Sequence, residues 1–393
     1  PDLTELQDAG YEAPRSPIET AIAQIWQDIL GAPRVGVADD FFRLGGHSLL
    51  ATQVVSRIGE SLGVNLPLQT LFEKPQLGEL AHAVQSASSR AAGEAIVPAD
   101  RERHIPLSFA QQRLWFLDQL EPENPAYHLY LPLRLDGPLD TTALQAALND
   151  LVARHETLRT HFAATNDDPI QIIAASGELP LEIVALPECS DEELIAQLVE
   201  RERRPFDLST GPLIRASLFA HGDDRHTLLI VIHHIISDGW SLNVMQRELA
   251  HAYNARRDAR EPELPALPIQ YADFAIWQRD WLTGAELNRQ LTYWRDQLAD
   301  APSLLDLPLD RPRPDMQSTN GAVATVELDG ELTARLRKLS QSHRTTLFMT
   351  LLAGLKVLFS RLSGQQDIVI GAPIAGRNRL ETEGLIGFFI NAL

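Results

Sequence analysis

The chain has 393 residues, 44 % apolar and 22 % charged, the balance of an ordinary globular protein with room for two to three domains. A net charge of -19 without a basic stripe excludes phosphate-driven nucleic-acid binding, and one cysteine, Cys189, excludes an internal disulfide framework or a multi-cysteine metal site. No apolar run reaches membrane-span length and the first residues lack a signal peptide's regions, so the sequence reads as a cytoplasmic monomer with no membrane partner, cut from something longer.

Residues 1–16 are polar and aperiodic, as a linker would be. Ser16-Pro17-Ile18-Glu19 is a capping box with proline at the first helical position. Ile18, Ile22, Ile25, Trp26 and Ile29 then form the stripe of an amphipathic helix, and Gly31 fits its stop. Residues 32–47 read as a loop. A second helix over 48–62 places Leu50, Val54, Ile58 and Leu62 on one side. A short helix follows Pro67, and a last one from about Gln76 buries Leu77, Leu80 and Val84. These predict a four-helix bundle over 17–87. Residues 88–104 are rich in Ser, Ala, Gly and charge, the clearest linker in the chain.

Beyond it the texture changes. Strand-like runs at 130–135, 181–184, 227–233, 323–328 and 368–370 alternate with helix-like runs at 141–155, 191–202, 241–256, 332–342 and 346–362. A mixed α/β domain with a central sheet is expected over 105–393.

Two stretches carry chemistry. Gly45-Gly46-His47-Ser48 is a flexible turn that opens a helix. Serine is a favoured helix cap, and that is what this string most often is. The same position faces free amides and the positive end of the helix dipole, which suits a phosphodiester on the serine oxygen. Further on, an apolar strand runs into His233-His234-Ile235-Ile236-Ser237-Asp238-Gly239-Trp240-Ser241. Bare paired histidines at a strand end are most often buried and neutral. Neighbouring strand residues point to opposite faces, so only one of the two should enter a site. That divergence, with no further ligand cluster, argues against a metal. Asp238 could pair with an arginine, and Gly239 permits a close backbone approach.

The string Asp39-Asp40-Phe41-Phe42-Arg43-Leu44-Gly45-Gly46-His47-Ser48-Leu49 resembles the modification site of peptidyl carrier proteins of nonribosomal peptide synthetases. The resemblance implies that a phosphopantetheinyl transferase esterifies Ser48 with 4′-phosphopantetheine, whose thiol carries an acyl group. The paired-histidine string resembles the signature of condensation domains, which are related in fold to chloramphenicol acetyltransferase. Ser108-Phe109-Ala110-Gln111-Gln112-Arg113-Leu114-Trp115-Phe116-Leu117, Arg154-His155-Glu156-Thr157-Leu158-Arg159-Thr160-His161-Phe162 and Tyr271-Ala272-Asp273-Phe274-Ala275-Ile276-Trp277-Gln278 resemble that family's first, second and fourth motifs, and Ile386-Gly387-Phe388-Phe389-Ile390-Asn391 the start of its fifth, in order.

What the family implies is an α/β domain of two lobes in a V, the first over about 105–275 and part of the second over 276–393. His234 carries over as the catalytic residue and His233 as structural. Asp238 is a structural support paired with Arg154 or Arg159, and amides near Gly239 are candidate oxyanion donors. The implied reaction joins a donor aminoacyl or peptidyl thioester on Ser48 to the amine of an acceptor aminoacyl thioester. The implied partners are an upstream adenylation domain and a downstream acceptor carrier. His233-His234 argues against heterocyclisation domains, and the Asp238-Gly239-Trp240-Ser241 continuation against epimerisation. The resemblance points to the subclass taking an L-configured donor. The alternatives are a coenzyme A-dependent acyltransferase and a catalytically silent recruitment domain. Condensation domains are longer, so the second lobe is expected to be incomplete.

Overall fold

The computed structural model describes residues 11–393 apart from 47, 65, 88–94, 123, 166–167, 188, 223, 315–320 and 344. The first seven residues of the expected linker, 88–94, thus lie outside the described residues. The chain divides into two compact units. One takes in the chain up to Ala95, Trp294–Gly371 and Asn378–Leu380; the other takes in Ile96–Tyr293, Ala372–Arg377 and Glu381–Leu393.

The first unit begins with four helices: α1 (Pro17–Leu30), α2 (Ser48–Ser61), α3 (Leu68–Glu73) and α4 (Leu77–Ser86). The expected capping box is present, with Glu19 N donating to Ser16 Oγ at 3.1 Å and Ser16 N to the Glu19 carboxylate at 2.8 Å. The stripe of α1 buries Ile22, Ile25 and Trp26 against Phe41, Val54, Ile58, Leu71, Leu77 and Leu80. The loop before α2 is tied to the α3–α4 junction. Phe41 N donates to Pro75 O at 2.9 Å, and Leu77 N to Asp39 O at 3.0 Å. Backbone bonds therefore fix where α2 starts.

The second unit opens with β1 (Ile105–Pro106), α5 (Phe109–Leu120), β2 (His128–Asp136) and α6 (Thr141–Arg154). It continues with β3 (Thr160–Thr165), β4 (Asp168–Ile173), β5 (Leu181–Ala185), α7 (Asp191–Glu202), β6 (Ile214–Ala220) and β7 (Arg225–His233). Then come α8 (Gly239–Arg257), α9 (Tyr271–Trp281) and α10 (Gly284–Gln297), which runs on into the first unit. The main sheet has the order β2-β7-β6-β5, with only β5 and β6 parallel; β1, β4 and β3 form a smaller one. β7 lies inside the main sheet and is buried from Thr227 to its end. It shares one core with Leu144 and Leu148 of α6 and Val244, Met245 and Leu249 of α8. β6 escaped sequence reading because IRASLFA is buried along most of its length and lacks alternation.

Helices α11 (Gly330–Ser342) and α12 (Leu347–Ser363) follow, then a two-residue pairing of β8 (Pro373–Ile374) with β9 (Asn391–Ala392). The runs expected as strands at 323–328 and 368–370 are irregular. Val323 is 94 % exposed and Val326 82 %. Alternation chooses a face, but a strand also needs a partner, and among the described residues 323–328 has none. Residues 381–393, expected in the second lobe, pack instead in the unit of the main sheet. Among the described residues no single helix is long and apolar enough to cross a membrane.

Candidate active site

β7 ends on His233, and the tight turn His234–Ile236 follows at once. That turn separates the two histidines. His233 is buried, its Nδ1 accepts from Ile235 N at 3.1 Å, and its ring packs edge-on to His128 and Phe206. Burial, with His128 and His234 as neighbours, pushes its pKa down to about 3, so it is a neutral packing residue.

His234 is half-buried, and its Nδ1 lies 2.7 Å from the Ser237 carbonyl. A carbonyl only accepts, so Nδ1 carries the proton and the neutral ring keeps its lone pair on Nε2. The ring stands edge-on to Phe388, centroids 4.7 Å apart. Gln111 steadies the turn: Ser108 N donates to its Oε1 at 3.0 Å while its Nε2 donates to Ile235 O at 3.2 Å.

Asp238 caps α8, accepting from Ser241 N at 2.8 Å and Ser241 Oγ at 2.7 Å. Its ion-pair partner is Arg377, at 3.1 Å. The expectation of Arg154 or Arg159 is therefore corrected. Arg154 leaves the end of α6 towards α8, where it pairs with Glu248 at 3.1 Å and donates to Pro265 O at 2.7 Å. Arg159 donates to the carbonyl of Ala174. Neither points at the α8 cap.

Side chains hold residues 385–389 at nearly every peptide. Arg377 Nη1 donates to Thr382 O at 2.5 Å and Leu385 O at 2.8 Å. Ile386 N reaches Nδ1 of His155 at 3.4 Å, and the other nitrogen of that ring lies 2.7 Å from Glu248. Gly387 N donates to Ser241 Oγ at 3.0 Å, and Phe389 N to Asp238 Oδ2 at 3.0 Å. Tyr271, whose pKa burial raises, donates to Phe388 O at 2.6 Å and lies 2.8 Å from Ser108 Oγ. A Cβ on Gly387 would lie 2.0 Å from the Tyr271 ring, so only glycine fits. These hooks set the Phe388 ring against His234. Sequence reasoning named the motifs holding Ser108, His155, Ser241 and Tyr271 without their roles, and missed Arg377 and Glu248. Tyr271 and Ser108 sit in quoted motifs; Arg377 follows α12 in no recognisable pattern.

Gly239 opens α8, is exposed, and would place a Cβ within 4 Å of nothing. Space, not packing, lies in front of it. Its amide is among those at a helix start that intrahelical bonds leave free.

In the four-helix bundle, Gly45 has φ +97, a conformation suited to glycine, and Gly46 N donates to Phe41 O at 2.9 Å. A Cβ on Gly46 would lie 2.4 Å from the Phe41 ring. Both glycines thus have local reasons, and together they bring the chain to Ser48, the first residue of α2. His47 and the Ser48 side chain lie outside the described residues.

Comparison with known proteins fits this geometry. Residues 101–393 match the condensation-domain family, and residues 20–84 match the phosphopantetheine attachment site. The chain belongs to the condensation-domain family. It is 49 % identical over 401 residues to one of the linear gramicidin synthase proteins of Brevibacillus parabrevis, covering 100 % of this chain and 8 % of that protein. The X-domain of teicoplanin biosynthesis, solved in complex with OxyB, superposes with a TM-score of 0.71 at 35 % identity, over 77 % of this chain and 67 % of that one. The first condensation domain of the calcium-dependent antibiotic synthetase gives 0.64 at 25 %, over 74 % and 69 %. The chain thus spans under a tenth of the length of the gramicidin synthase proteins it matches.

The attachment-site match covers α2, and the backbone there suits a covalent phosphodiester: a helix of 14 residues starts at Ser48, behind two glycines. In the condensation domain, His234 with Nδ1 bonded to the Ser237 carbonyl can take a proton on Nε2, and the start of α8 can donate to a developing negative charge.

Proposed function

We propose that this chain carries out peptide-bond formation in nonribosomal peptide synthesis, in the cytoplasm. The observation that carries the reading is the 2.7 Å contact of His234 Nδ1 with the Ser237 carbonyl, which supports Nε2 as the acceptor. Ser48 is the attachment residue for phosphopantetheine, which supplies a thiol that holds the donor acyl group as a thioester. A phosphopantetheinyl transferase installs it, an upstream adenylation domain loads it, and the acceptor arrives on a downstream carrier. An α-amine has a pKa of ~7.7–8.0, so much of it is protonated near neutrality. His234 Nε2 accepts a hydrogen bond from the free amine, orients it, and receives the proton lost on attack. Free amides at the start of α8, Gly239 first, receive the charge that develops on the carbonyl oxygen; as that charge returns, the C–S bond breaks and the proton held by His234 passes to the released sulfur, leaving the amide and a free thiol. His233 and Asp238 position this apparatus. The donor is of L configuration.

The test loads Ser48 with an aminoacyl group, adds an acceptor aminoacyl thioester on a separate carrier, and follows the dipeptidyl product by mass spectrometry. Product that needs both Ser48 loading and His234 is the expected result. Product from a coenzyme A ester on Ser48→Ala would make the chain a free acyltransferase. A second reading, a recruitment domain without chemistry, is favoured by the likeness to the X-domain solved with OxyB. Absence of product from a fully loaded pair would support that reading.

A further inference from the structure

One face of the main sheet carries a cavity of about 240 Å³ that plays no part in the site above. Register places Arg215 opposite Val231, and Ser217 beside Glu182, so alternation gathers these four on that face. Leu179, Pro180, Pro212, Ile214 and Val231 supply apolar walls.

The charges around it do not balance. Arg201 is satisfied by Glu182, at 3.3 Å from Nε and 3.0 Å from Nη2, and Ser217 Oγ donates to the same carboxylate at 3.0 Å. Arg204 donates to Glu200 at 3.2 Å. Among the described residues Arg215 has no such neighbour. Its guanidinium lies over the Phe206 ring, 3.8 Å from the centroid, and Nη2 donates to the Arg204 carbonyl. Its Nε is buried without an acceptor among the described residues. Burial and the Arg204 charge lower its pKa to about 10, with no carboxylate opposing them, and it stays protonated at neutral pH. A half-buried guanidinium that lines a cavity and has no carboxylate of its own among the described residues is matched by an anion.

We propose that this cavity binds a small organic carboxylate on a compact aliphatic body. The apolar walls would gain nothing from inorganic phosphate, whereas an aliphatic body removes them from water. A guanidinium edge also matches the planar carboxylate fork. The volume equals about eight waters, enough for a branched short-chain acid.

Isothermal titration calorimetry of the 393-residue chain tests this, with sodium isovalerate as the probe. Isoamyl alcohol supplies the same skeleton without charge, and inorganic phosphate supplies charge without a body. Isovalerate should bind saturably and at least tenfold more tightly than either. Arg215→Gln should weaken it at least tenfold, and Arg215→Lys should weaken it less. Ser217→Val, which leaves Arg215 in place and narrows the cavity, should also weaken isovalerate at least tenfold. This second variant decides the matter if Arg215→Gln does not fold. No saturable binding, equal binding of the alcohol or of phosphate, or isovalerate binding untouched by the folded variants would overturn the proposal.

Discussion

Arg377 Nη2 stands 3.1 Å from Asp238 Oδ1, with the two side chains 1 % and 2 % exposed. Two charges so deep are expensive to desolvate, and further hydrogen bonds are needed to offset that. They are present. Asp238 also takes the amides of Ser241 and Phe389, and Arg377 also gives to the carbonyls of Thr382 and Leu385. The pair is a latch between the start of α8 and the segment that carries Phe388.

Breaking that latch should cost both stability and turnover. Arg377→Met leaves the Asp238 carboxylate buried without its counter-ion, a change worth ~3–5 kcal/mol. Urea unfolding should register that loss, and product formation should fall with it. A variant as stable as the parent would mean that Asp238 finds another partner.

His234→Ala should leave loading of Ser48 intact and reduce condensation by ~10²–10⁴-fold. His234→Asn separates two roles. Its amide can still donate to the Ser237 carbonyl, but it offers no lone pair at the Nε2 position. If it turns over like the parent, His234 is a spacer and not a proton acceptor.

The buried histidines predict acid sensitivity. Burial first, then His128 and His234, holds His233 at about 3 against an ordinary 6.5. The unfolded chain therefore gains its proton first as pH falls. Stability from His233 is full above the unfolded value and declines from there towards the folded value, by about 1.4 kcal/mol per pH unit. Burial lowers His155 and His128 as well, so their contributions run in the same direction. His233→Asn keeps an acceptor for the Ile235 amide and removes the titration. Between about pH 6 and pH 4 its unfolding free energy should slope less steeply by about 1.4 kcal/mol per unit. An unchanged slope would show that His233 is not held neutral.

Local signals made much of this legible in the sequence. The Ser16 box, the stripe of α1 and the run into His233 each lie within one element, where period and capping act. Sequence reasoning also expected His233 and His234 to part company by strand alternation, but it is the turn after β7 that separates them. What failed was long-range. Arg377 lies 139 positions from Asp238, and no local rule connects them. Arg154 and Arg159 were better placed in sequence, but the end of α6 faces Glu248. The 323–328 run has a strand's pattern and lacks a strand's neighbour, because pairing depends on the fold as a whole.

Two glycines separate packing from chemistry. At Gly387 a Cβ would lie 2.0 Å from the Tyr271 ring, so Gly387→Ala must push Tyr271 or the backbone aside. Overpacking of this kind costs ~1–3 kcal/mol. It should also loosen the hold of Tyr271 on Phe388 O, and with it the ring beside His234. Melting temperature and turnover should fall together. At Gly239 the same methyl meets nothing, and its φ needs no glycine. Gly239→Ala should therefore unfold within about 0.5 kcal/mol of the parent, as surface changes do. Its turnover should nevertheless drop, because the methyl enters the space in front of the first α8 amide, where the carbonyl oxygen is proposed to sit. Normal turnover by Gly239→Ala, beside a crippled Gly387→Ala, would remove the oxyanion role from the start of α8 and leave His234 as the chemical centre of the site.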